Sequence, residues 1–76
     1  MLPQICIVEC DETKSTHALK DVKSVEQGMK LFAGWLAHHG GTVTIVASLH
    51  MVIVTNQAEN TFHYYVKMIS VLDLNN

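Results

Sequence analysis

The sequence predicts one small α+β domain over residues 1–76, a single helix packed on a small antiparallel sheet in the order β-α-β-β with a long C-terminal hairpin. Three observations predict it. A β-branched run lies near the N-terminus, a capped stretch of helical periodicity begins after Ser24, and apolar residues recur at every second position from Thr42 onward. At 76 residues the chain sits near the size at which one core is marginally sufficient, so partner chains commonly supplement it.

The first element is Gln-Ile-Cys-Ile-Val-Glu-Cys, residues 4–10, bounded by Pro3 and Asp11 and read as a strand. It carries both cysteines, Cys6 and Cys10. Four residues along one strand hold their Cα atoms about 13 Å apart, beyond the roughly 7 Å reach of a disulfide. Buried, reduced thiols in a cytoplasmic protein are therefore expected. Residues 11–23 are polar and mixed, and the expectation is a loop with one helical turn from Ser15.

Ser24 then opens a helix as N-cap, with Gln27 three residues later completing a capping box, and Gly40 and Gly41 close it. Val25, Met29, Phe32 and Leu36 fall on one face, with Glu26, Gln27 and Lys30 opposite. Leu31 and Trp35 form a second apolar stripe beside the first and widen the apolar arc beyond what one sheet normally covers. Gly28 flanks the core stripe, where it permits close backbone approach, whereas Gly34 has no evident role.

From residue 42 the period becomes two. Val43, Ile45, Ala47, Leu49, Met51 and Ile53 alternate with Thr44, Val46, Ser48, His50, Val52 and Val54 without a change of phase. Between Ala47 and His50 stands no Gly, Pro, Asn or Asp to make a tight turn, so one long strand is expected. The alternative is a bend at Ser48-Leu49, giving β-α-β-β-β. Residues 56–60 form the next turn and 61–72 a second long strand. Parity pairs Ile53 with Tyr64 and Met51 with Val66 on the helix side, and Val54 with His63, Val52 with Tyr65 and His50 with Lys67 on the back. The last strand is expected in the middle of the sheet with the first beside it. A twelve-residue strand spans about 40 Å and a fifteen-residue helix about 22 Å, so one helix cannot cover such a hairpin. Exposed apolar surface of that extent marks an interface.

Charge narrows the functional classes. The chain has five lysines, no arginine and a formal net charge of −2. Arginine supplies the bidentate contacts to phosphate and guanine, so no direct nucleic-acid binding is expected. No run is long enough to span a membrane as a helix, the opening Met-Leu-Pro-Gln lacks a signal peptide's basic segment, and no membrane partner is expected. The five histidines include no His-x-x-x-His or Cys-x-x-Cys spacing, and neither a metal site nor a cofactor is expected. No phosphate loop or nucleophile elbow occurs, and a strand cysteine is ordinarily inert. No enzyme is expected. Histidine abundance does make a pH-dependent interface a testable expectation.

What remains is binding. The sequence points to a protein-interaction module, a homo-oligomer and most simply a dimer, that binds and modulates or inhibits another protein. The contact residues expected are Leu31 and Trp35 on the helix flank and His50, His63, Tyr65 and Lys67 on the sheet. Small stand-alone inhibitors that phages and mobile elements encode against host defence enzymes share this profile of size and composition. The alternative takes a small aromatic ligand. The β-α-β-β order is similar to the dodecin architecture, whose oligomers hold flavins between aromatic side chains, and that resemblance implies an oligomeric flavin binder.

Overall fold

Residues 4–10, three of the seven β-branched, pair on both sides and form the strand β1 (Gln4–Cys10) of a computed structural model that describes residues 3–72. The chain continues through β2 (Thr16–Leu19), α1 (Val25–His38), β3 (Thr42–Val46), β4 (Met51–Thr55) and β5 (Thr61–Ser70). The five strands make one antiparallel sheet in the order β2-β1-β5-β4-β3, with α1 packed on one face. The fold class is thus a small α+β domain, and β5 lies centrally with β1 beside it, as expected of an all-antiparallel sheet. The six residues of the 1–76 reading that fall at the two ends lie outside the described residues.

Both helix caps form, although the Gln27 side chain returns to Lys23, one residue before the Ser24 cap. The Ser24 Oγ accepts from the Gln27 backbone N–H at 3.0 Å, while the Gln27 side chain accepts the Lys23 N–H at 2.9 Å. At the other end Gly40 takes φ 91°, and the N–H groups of Gly40 and Gly41 bond the Ala37 and Leu36 carbonyls, each at 3.1 Å. That pair of bonds is a Schellman motif, and the positive φ is what glycine supplies without strain. Inside the helix, a Cβ on Gly28 would stand 2.6 Å from the Cys6 Sγ, so the small residue allows α1 to lie directly on β1.

Two expectations about the strands are corrected. Residues 42–55 are not one long strand, and the alternative, a bend at Ser48-Leu49, is what forms. Ala47–Leu49 form a 3-10 turn, His50 adopts a left-handed conformation at φ 51°, and β3 and β4 fold into a hairpin with Val46 opposite Met51. Such a loop needs only one residue at positive φ, a position histidine tolerates better than most non-glycine residues, so no Gly or Asn is required. Folding the segment in half also matches strand length to helix length, which the continuous strand could not do. Residues 16–19 were expected as loop or helical turn and instead pair with β1, from Cys6 opposite Leu19 to Glu9 opposite Thr16.

The register of the second hairpin is shifted by one. Thr55 pairs with Thr61, Ile53 with His63 and Met51 with Tyr65. The reason is local: the Asn56 Oδ1 accepts from the N–H groups of Ala58 and Asn60, each at 3.0 Å, which draws Asn56 into a five-residue loop. One extra loop residue turns every side chain of β4 to the opposite face. Val52 and Val54 therefore join Cys6, Val8, Val22, Met29, Phe32, Ala33 and Val66 on the helix side, and Met51 and Ile53 pass to the back. On β5 the facing is as expected, with Phe62, Tyr64, Val66 and Met68 toward the helix and His63, Tyr65 and Lys67 away from it.

Candidate functional site

The helix crosses the sheet obliquely, and the crossing opens the site. Near its start, Gly28 rests on Cys6 and Val66 of β1 and β5, whereas at its end Leu36 and Gly41 meet the β3–β4 side, Gly41 against Val54. The wedge between the helix flank and β2 is left unfilled. It forms a cavity of about 480 Å³ lined by Leu31, Phe32 and Trp35 from α1, His17 and Leu19 from β2, and Tyr64 from β5. That volume falls in the ordinary range of ligand and side-chain pockets.

Ring geometry gives the groove its aromatic wall. Phe32 meets Tyr64 edge to face with centroids 4.8 Å apart, and Trp35 lies nearly parallel to Phe32 at 6.1 Å. Beyond Trp35 the His39 imidazole leans on the indole at 4.3 Å, its Nδ1 held 2.8 Å from the Trp35 carbonyl oxygen. Phe32 is buried, but Trp35 and Leu31 expose 56% and 54% of their surface, unusual for the two largest apolar residues of a helix flank. Burial raises the Tyr64 hydroxyl above its ordinary range, with the neighbouring Cys10 adding to the effect.

Of the expected contact residues, Leu31 and Trp35 thus share the groove. His63, Tyr65 and Lys67 lie together on the opposite sheet face. His50 belongs to neither surface, because the left-handed turn carries it to the β3–β4 bend at one end of the molecule. Sequence reading missed His17 and Leu19, since β2 was not recognised, and placed Phe32 and Tyr64 in the core only. Both rings do pack on the core, and they also floor the groove.

A second polar cluster sits where the β1–β2 turn meets β5. Glu12 accepts from the His63 backbone N–H at 2.7 Å and approaches the His63 Nδ1 at 2.5 Å, and the Cys10 thiol lies 3.8 Å from the same carboxylate. The two bonds from His63, backbone first, lower the Glu12 carboxyl to about 2. The order of groups here is thiol, carboxylate, imidazole. A nucleophilic cysteine needs the imidazole next to sulfur with the carboxylate behind it. Cys10 is also only 1% exposed, so the arrangement is a clasp between turn and strand. Among the described residues, no three or more His, Cys, Asp or Glu side chains converge in a way that would hold a metal ion, and no helix is long and apolar enough to cross a membrane.

The fold and the groove define a small α+β domain with an aromatic-walled cleft beside an edge strand. Comparisons with protein-family models, with curated proteins and with solved structures find no match to this chain, so its function is argued from its own residues.

Proposed function

We propose that the chain is a non-enzymatic protein-binding module that works as a homo-oligomer, and that it modulates or inhibits the partner seated in the groove between α1 and β2. One observation carries the reading: Leu31 and Trp35 stand more than half exposed on the rim of a 480 Å³ apolar groove. Exposed large apolar side chains around a concavity are costly to keep in water and are characteristic of contact anchors. The adjoining β2 is an edge strand of the sheet, so an extended segment of a partner can align beside it while placing an apolar side chain between Leu31, Trp35 and Tyr64. Two free, buried cysteines suit a reducing, cytoplasmic setting. An inhibitor that occludes a partner's surface, as phage-encoded anti-defence proteins do, needs nothing more than such a contact.

The test is peptide selection from a displayed random library against the purified protein, with the Leu31→Glu variant as counter-selection. Peptides bearing an aromatic or aliphatic anchor are expected to be enriched on the wild type, and their binding is expected to change the fluorescence of Trp35, the single tryptophan. Failure to recover any peptide that distinguishes the two proteins would falsify the groove reading.

A second reading is favoured by the ring wall of Phe32, Trp35 and Tyr64, which suits a small planar aromatic ligand such as a flavin. The dodecin likeness lends it less than the sequence implied, because it rested on three strands and five are present. Titration with flavin mononucleotide separates the two readings: quenching of both chromophores supports the ligand, and an unchanged flavin spectrum leaves the peptide.

A further inference from the structure

We infer that the sheet face opposite α1 receives a second copy of this chain, the two sheets packing face to face so that the grooves look outward from a bivalent dimer. The pairing register fixes what that face carries. Ile5, Ile7, Ile69, Tyr65, Met51 and Ile53 form an apolar band running diagonally from β1 across the central β5 to β4, with Ile7 and Met51 already buried and Tyr65 exposed. Threonines occupy the far corner, where Thr42, Thr55 and Thr61 stand in one row, and Thr16 lies at the near edge. The rim is polar, and the middle is apolar apart from one pair of opposite charges, Lys67 and Glu9. Among the described residues the only helix longer than one turn lies on the other side of the sheet.

Two features select a copy of the same chain as the occupant. The first is charge. Lys67 and Glu9 are the two charges on the strands within the band, one of each sign. Strand charges of opposite sign let the band meet its own copy without net repulsion between them, so isologous two-fold packing needs no foreign complement. The second is area. Five strands at about 4.8 Å spacing and about 20 Å in length give a face of roughly 480 Å², and two such faces bury on the order of 1,000 Å², the lower bound for a specific interface. Sheets packed in this way lie about 10 Å apart, which leaves α1 and the groove of each protomer on the outside.

The bivalent consequence rests on the groove reading above; the dimer itself does not. The test is native mass by light scattering after size exclusion, with the protein at about 100 µM. Wild type is expected at about 17 kDa, twice the 8.5 kDa chain. Tyr65→Lys is expected at half that mass with an unchanged circular dichroism spectrum, because Tyr65 is 43% exposed and its loss empties no core. Ile69→Lys, at the other end of the band, gives the same result should Tyr65→Lys fold poorly, while Leu31→Glu remains a dimer. A monomeric wild type, a dimeric pair of band variants, or a monomeric Leu31→Glu overturns the proposal. On a surface densely coated with a selected peptide, the dimer dissociates at least tenfold more slowly than Tyr65→Lys. Equal rates remove the bivalency alone, and a monomer that still binds peptide removes the dimer while leaving the groove.

Discussion

Gly28 and Gly34 lie in one helix under opposite constraints. A Cβ at Gly28 meets the Cys6 Sγ at 2.6 Å and the Val66 Cγ1 at 3.1 Å, and Cys6 is fully buried and has nowhere to move. Gly28→Ala is therefore expected to cost about 1–3 kcal/mol, the usual penalty for overpacking. At Gly34 a Cβ meets nothing within 4 Å, so Gly34→Ala removes only the glycine's own penalty and is expected to stabilise by about 1 kcal/mol. Urea denaturation of both variants checks the pair, and equal shifts of the midpoint would contradict it. The close approach at Gly28 was legible in the sequence from its place beside the core stripe; the freedom of Gly34 was not, because periodicity does not tell a crowded flank from an open one. Glu12 was illegible for a different reason. Its partner His63 lies across the sheet, and only the β1–β2 turn brings the two together. The folded carboxyl titrates near 2 against an ordinary 4.5, so its stabilising effect is complete above about pH 4.5 and disappears as pH falls toward 2. Glu12→Gln should accordingly be less stable than wild type at pH 6, with the gap closing by pH 2; a gap that stays constant over that range would assign the effect to something other than ionisation.

Elements were legible in proportion to how far their signals are local. The α1 caps are written in Ser24, Gln27, Gly40 and Gly41, and both form. The turn at residues 56–60 was also read, but its length depends on which way the Asn56 side chain bonds, and one residue reversed the facing of β4. β2 escaped because Thr-His-Ala-Leu contains one β-branched residue and pairs only because the turn from Cys10 to Ser15 returns it to β1, with the Cys10 N–H donating to the Ser15 carbonyl at 2.9 Å. The bend at residues 47–50 was legible only as the alternative, because apolar residues continue at odd positions through it, whereas the four-residue loop passes the shared face from Val43 and Ile45 to Val52 and Val54. The same bend yields a prediction. His50 sits at φ 51°, where a non-glycine residue loses about 1–2 kcal/mol. His50→Gly should then stabilise by up to about 1 kcal/mol after its added unfolded-chain entropy, whereas the β-branched His50→Val should destabilise and favour the extended strand. Thermal midpoints of the two variants are expected to fall on opposite sides of wild type.

At the scale of the whole molecule one helix serves a sheet with two apolar faces, and the helix itself leaves two large side chains in water. The core proper is small: Val8, Val52, Cys6 and Cys10 are the largest side chains buried almost completely. Leu31 and Trp35 lie outside it. Stability and binding are thereby assigned to different residues, a division the sequence already carried in a second helix stripe wider than one sheet covers. Replacing the two together, Leu31→Ser with Trp35→Ser, forfeits the ring contact of Trp35 with Phe32 and the less than half of each residue that is buried, so the loss expected is about 1–2 kcal/mol, under the 3–5 kcal/mol of a core aromatic. The doubly substituted protein should unfold cooperatively near the wild-type midpoint, retain the native mass of the parent and bind none of the peptides selected on it. Loss of folding in that variant would place the flank in the core and withdraw the separation of roles, whereas an intact fold with retained peptide binding would move the contact elsewhere on the surface.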